Sequence, residues 1–124
     1  IVRTNKDDPS ARLIRFMKEQ AKQHLEVLAA DKTALIGKKL KSMPVRDTKS
    51  RWGSCSVDGN LSFSWRLIFA PVEAIDYVVA HETAHLLHMN HGPKFWAQCA
   101  ELCADYGKGK RWMRTNGQLL MRYG

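Results

Sequence analysis

Between Pro71 and Pro93 the chain reads VEAIDYVVAHETAHLLHMNHG, a run with no proline or glycine before Gly92 that carries four of the five histidines. No other segment constrains the fold as tightly. Proline suits the first position of a helix, where its missing N–H has no partner to lose, and Gly92-Pro93 forbids continuation at the far end. A helix over about 71–89 is therefore predicted. Within it, His81, Glu82 and His85 form the pattern H-E-x-x-H. At 3.6 residues per turn His85 lies about 40° around from His81 and one turn along, so both imidazoles can converge on one ion. Glu82 is turned by roughly 100° from His81, beside such an ion and not on it. That is the place for a general base acting on a zinc-activated water.

A third ligand has two candidates. On a continued helix His88 falls on the His81 stripe, about 20° away, and His91 about 120° from His85. Three imidazoles from one stripe would approach an ion from a single side, whereas tetrahedral zinc needs ligands around it. Asn90, which tolerates the left-handed conformation, and Gly92-Pro93 offer a chain reversal that swings His91 over the metal. His91 is the expected ligand, with His88 as the alternative or as a support for one. Three protein ligands leave a fourth position for water, the open site of a catalyst that hydrolyses peptide bonds. A fourth ligand from Cys99 or Cys103 would instead close the site and make the zinc structural.

Upstream, Asp8-Pro9 reads as a cap and first helical residue. Leu13, Phe16, Met17, Ala21, Leu25 and Leu28 then recur at helical spacing as a core stripe, predicting a helix over about 9–29 and a second short one over 32–41. From about 45 to 68 the texture is that of strands, joined at Asp58-Gly59 by a tight hairpin turn, with Val45 to Asp47 as a third strand. Leu61, Phe63, Trp65 and Leu67 alternate with Ser62, Ser64 and Arg66, one face buried and one polar. Pro93 starts a helix over about 93–106 with Phe95, Cys99, Leu102, Cys103 and Tyr106 on its apolar stripe, stopped by Gly107. The basic tail 107–124 has no assigned element.

These 124 residues suit one domain, and 44% hydrophobic with 26% charged residues suits an ordered globule. No apolar run reaches the roughly 20 residues a membrane helix needs. Three cysteines are no disulfide framework and point to a reducing, cytoplasmic setting. A start at Ile1 implies a longer natural chain. The basic excess lies in the flanks: residues 51–105 hold 3 basic and 6 acidic groups, and 106–124 hold 5 basic and none acidic. Basic flanks attract nucleic acid, but solvated lysines explain them as well. A monomer is expected.

Taken together, RWGSC, GNLSFSWRL, IDYVVAHETAHLLHMNH and the FW at 95–96 resemble the YgjP-like zinc metallopeptidases, relatives of the SprT-like group, over a stretch from KEQAKQHL to Tyr106. The resemblance implies an α+β minimal zincin, a small antiparallel sheet of about three strands packed against the active-site helix. It also implies Zn2+ on His81, His85 and His91, the last standing before x-x-x-F-W, and an endopeptidase acting on protein or peptide substrates. Thr83 departs from the leucine common in relatives, and His88 stands where metzincins have glycine. SprT-like relatives act on proteins attached to DNA, so a DNA-associated protease is one alternative. A nucleic-acid-binding module with structural zinc is the other. An edge strand at WGSCSV would position an extended peptide, with Trp52 and Trp65 either shaping the cleft or filling the core. Arg51, Arg66, Tyr106 and Arg111 are the candidates for stabilising an oxyanion.

Overall fold

The computed structural model describes residues 9–41, 43–46 and 51–120. Four helices surround a small sheet: α1 (Pro9–Leu35), β1 (Val45–Arg46), β2 (Gly53–Cys55), β3 (Leu61–Ser64), a 3₁₀ turn (Trp65–Phe69), α2 (Val72–Ala84), α3 (Pro93–Leu102) and α4 (Tyr106–Leu120). The class is α+β. The sheet, ordered β1-β3-β2, is mixed and not wholly antiparallel: β2 and β3 form the hairpin, while β1 runs parallel to β3.

α1 takes in the first predicted helix and runs on through the start of the second, ending at Leu35, so no separate helix covers 32–41. Nothing between 29 and 35 breaks it, and beyond its end stands Gly37, whose φ of +71° only glycine adopts without cost. Its buried line is Ala21, Leu25, Ala29, Lys32 and Thr33, with Ile14, Met17 and Leu28 partly covered. Leu13 and Phe16, read as core, stay more than half exposed. The predicted cap Asp8 and the strand residue Asp47 lie outside the described residues.

The hairpin turn differs from the one expected. Gly59 N–H donates to Ser56 O at 3.0 Å and Ser56 N–H to Asn60 O at 2.9 Å, with Val57 and Asp58 central and only Gly59 at positive φ, +86°. Asp58 is thus spared the left-handed conformation that a two-residue turn would impose. The second strand is also shorter. At Ser64 the hydroxyl accepts from Arg66 N–H and turns the chain into the 3₁₀ segment, so Ser64 and Arg66, predicted for a polar face, are buried. Leu61, Phe63, Trp65 and Leu67 are core as predicted.

α4 occupies the tail. Gly107, read as a stop, lies inside its first turn. α4 packs on α2 at Gly109, where a Cβ would come within 2.5 Å of Tyr77 Cβ and collide with the Glu73 carbonyl. Between α2 and α3 a second core gathers Ala80, Ala84, Phe95, Cys99, Leu102 and Cys103. Lys32, reaching from α1, ties this corner together. Its ammonium donates to Leu102 O at the end of α3 and pairs with Asp76 Oδ1 of α2 at 2.6 Å. A cation at a helix C-terminus satisfies carbonyls that have no partner within the helix.

Candidate metal centre

α2 ends sooner than predicted, and that ending builds the site. The helix stops at Ala84 with His85 as its cap, and a tight turn follows in which Leu86 N–H donates to Thr83 O and His88 N–H to Ala84 O, both at 3.0 Å. The chain then reverses into α3 through Gly92, which is extended (φ −91°, ψ −175°). Asn90 does not adopt a left-handed conformation, since no residue but glycine has positive φ among the described residues. The early turn does the work assigned to Asn90.

The reversal brings His91 back over α2. His81, His85 and His91 each offer a ring nitrogen, and the three atoms lie within 4.8 Å of one another. Their rings rest on one buried side chain, Phe95, with centroids 5.1, 4.6 and 4.8 Å from its ring. Trp96 packs against His81 and His91 from the side. The FW pair of α3 is therefore the floor and wall of the cluster.

The donor chemistry fits a divalent metal. His85 Nδ1 lies 3.0 Å from the backbone oxygen of His88, an atom that only accepts, so Nδ1 is the donor there and Nε2 is the nitrogen left for a metal. His81 Nδ1 stands 3.0 Å from Glu82 Oε2 and donates to it, leaving Nε2 in the same position. Ring N–H groups held by a carbonyl and a carboxylate are the usual supports of ligating imidazoles. His85 Nε2 and His91 Nε2 are 3.0 Å apart, near the roughly 3.3 Å that Zn–N bonds of 2.0–2.1 Å imply at a tetrahedral centre. Desolvation, then the proximity of His81 and His85, lowers the His91 pKa and so favours the neutral ring that coordination requires. His88 enters through its backbone oxygen and lies outside the three-histidine group.

A family model describing the YgjP-like metallopeptidase domain matches residues 2–116. The chain belongs to that family. No curated protein and no solved structure matches it. A metallopeptidase domain implies a hydrolase, a bound metal and a protein or peptide substrate. Among the described residues no helix is long and apolar enough to cross a membrane.

Glu82 is buried, its Cγ against Gly53 of β2, where a Cβ would approach to 2.9 Å. Only glycine lets the strand come this close to the carboxylate. Next to them opens a cavity of about 400 Å³ lined by His81, Glu82, Trp52, Arg51 and residues of α4. Of the four oxyanion candidates only Arg51 lines it. Arg66 is buried over the Trp65 ring, Tyr106 stacks on Trp96, and Arg111 sits near Gly107. Trp52 belongs to the cleft and Trp65 to the core.

Tyr77, Lys110 and Arg114 were missed as cavity residues. Tyr77 stacks edge-on against His81, and burial pushes its hydroxyl up to about 12. The signal for it lies one helical turn before His81. Cys99 and Cys103 are buried, and desolvation raises their thiols to about 11 and about 12. Neither lies in the three-histidine group. Thr83, buried, turns its hydroxyl back to Val79 O at 2.7 Å, so the departure from leucine is a matter of packing inside α2.

Proposed function

We propose that this chain is a zinc-dependent endopeptidase with His81, His85 and His91 as metal ligands and Glu82 as general base. The observation that carries it is the convergence of three imidazoles, two of them supported through Nδ1, with a buried carboxylate hydrogen-bonded to one of them. Zinc held by these imidazoles would supply a water of lowered pKa and polarise the substrate carbonyl. Glu82 would be the residue to accept a proton and return it to the leaving amine. β2 is one of the two edge strands of the sheet and the one that meets Glu82, at Gly53, so an extended substrate adding along β2 would bring its backbone past the base.

Elemental analysis of purified protein is expected to find one zinc per chain. Glu82→Gln is expected to keep that zinc while cleavage of casein falls roughly 10²- to 10⁴-fold. A Glu82→Gln protein as active as wild type would remove the base assignment. Casein assays with and without single-stranded DNA at two salt concentrations separate this reading from a DNA-activated protease and from a binding module with structural zinc.

A further inference from the structure

The cavity beside His81 and Glu82 has a charge pattern that the chemistry above does not use. Its apolar floor is Trp52, Val78 and Met113, and its rim carries Arg51, Lys110 and Arg114. Glu82 is the one acidic residue lining it, and His81 already holds that carboxylate. The excess of positive charge therefore faces whatever enters.

Lys110 and Arg114 stand four residues apart on α4, one turn of the same face. Like charges at that spacing destabilise a helix, and α4 has no acidic residue to offset them. Lys110 is held in place, its ammonium 3.7 Å from the Trp96 ring centroid, and Trp96 packs in turn on His91 and His81. Arg51 faces them from just before β2, and its guanidinium, like that of Arg114, can fork onto a carboxylate. About 400 Å³ holds one side chain with its backbone, not a folded partner.

We infer that this cavity binds a carboxylate of the substrate next to the scissile bond, making the enzyme selective for acidic residues or a free C-terminus at that position. The inference rests on the peptidase reading for its context, and binding measurements test it separately from catalysis. The probes are acetylated pentapeptides, alanine throughout except for a central Glu, Gln or Lys, with amidated C-termini. The Gln peptide is also made as the free acid. Binding to zinc-loaded Glu82→Gln protein is followed by tryptophan fluorescence, to which Trp52 contributes from inside the cavity, and cleavage by wild type is followed by chromatography.

The Glu peptide is expected to bind, and to be cleaved, about tenfold better than the Gln amide, with the margin shrinking at 0.5 M salt. Arg114→Gln should reduce the ratio to about twofold, Lys110→Gln should lower it as well, and Arg114→Glu should invert it in favour of Lys. Equal gains for the free-acid Gln peptide identify a terminal carboxylate as the group received. A Glu to Gln ratio near one in wild-type binding, or one that Arg114→Glu leaves unchanged, overturns the inference. Charge-selective binding without any cleavage leaves the cavity assignment standing and sinks the peptidase reading; cleavage without charge preference does the reverse.

Discussion

Gly53→Ala tests whether the approach of β2 to the carboxylate matters for catalysis. The new Cβ would lie 2.9 Å from Glu82 Cγ and 2.9 Å from Phe63 Cδ1. Carbon atoms rest at about 3.5–4.0 Å, so these groups must part by roughly 0.6–1.1 Å. Phe63 is fixed in the core and cannot retreat far, which leaves Glu82 and the strand to move. Overpacking of this kind costs about 1–3 kcal/mol, or a thermal midpoint lowered by roughly 4–12 °C in a chain of this size. A carboxylate misplaced by up to about 1 Å costs on the order of 10²-fold in rate. Expected, then, is a protein that keeps its metal, melts earlier and shows kcat on casein or a peptide lowered by about 10- to 100-fold.

A paired variant separates displacement from mere destabilisation. Gly59 has φ +86°, so Gly59→Ala strains the backbone by about 1–2 kcal/mol, yet its Cβ would meet only Leu86 Cδ2 at an ordinary 3.6 Å. It should melt earlier by a similar margin with kcat within about twofold of wild type. Equal kcat losses in the two variants, or wild-type kcat in Gly53→Ala, would refute the argument that the glycine exists to admit the base.

Gly109→Ala should be the most damaging single methyl in the chain, because the Glu73 carbonyl and Tyr77 Cβ occupy its place; a loss of about 3 kcal/mol or more is expected in urea unfolding, and an unchanged midpoint would mean α4 packs elsewhere. Lys32→Met leaves Leu102 O and Asp76 without their cation and should cost about 1–3 kcal/mol by the same measurement, with a loss under about 0.5 kcal/mol counting against the strut. Burial raises Tyr77 from 10.0 to about 12, Cys99 from 9.0 to about 11 and Cys103 from 9.0 to about 12, so the fold favours their protonated forms. That contribution is complete below about pH 9 and is lost as pH climbs from 9 towards 12, so the melting temperature should decline steadily over this range; a flat profile from pH 8 to 11 would contradict it.

The fold was readable where local signals and burial agree. Pro93 opens α3, and Phe95, Cys99 and Leu102 are buried as their spacing implies; the helix ends at Leu102 and not at 106, with Cys103 as its buried cap and half-buried Tyr106 starting α4. α4 was unreadable for a physical reason: Gly107, Gly109 and Gly117 each cost a helix about 1 kcal/mol against alanine, so local propensity argues against it. Two of them earn their positions only in the assembled molecule, Gly109 under α2 and Gly117 under the Trp52 ring. The burial of Gly109, Trp112, Met113 and Gly117 at helical spacing was the signal available, had glycine been counted as a packing residue.

The site divides the same way. H-E-x-x-H places its residues by helix geometry alone, which short-range periodicity predicts. His91 sits beyond the helix, and the argument that an ion must be surrounded pointed to a residue that the chain does bring beside His81 and His85, while assigning the turn to the wrong residue. What bends the chain is the group of hydrogen bonds over Thr83 to His88, which ends α2 at Ala84 and so frees His85 Nδ1 to meet the His88 carbonyl. Had the helix run on to Met89, that carbonyl would have pointed along the axis away from His85, which would have lost its support, and His91 would have pointed away from His81. One shortened helix therefore settles both the orientation of the second imidazole and the arrival of the third. Two of the three cavity cations, Lys110 and Arg114, depend on α4, five elements after β2, and no spacing within the sequence relates Arg114 to Gly53; the close packing at Gly109 and Gly117 does.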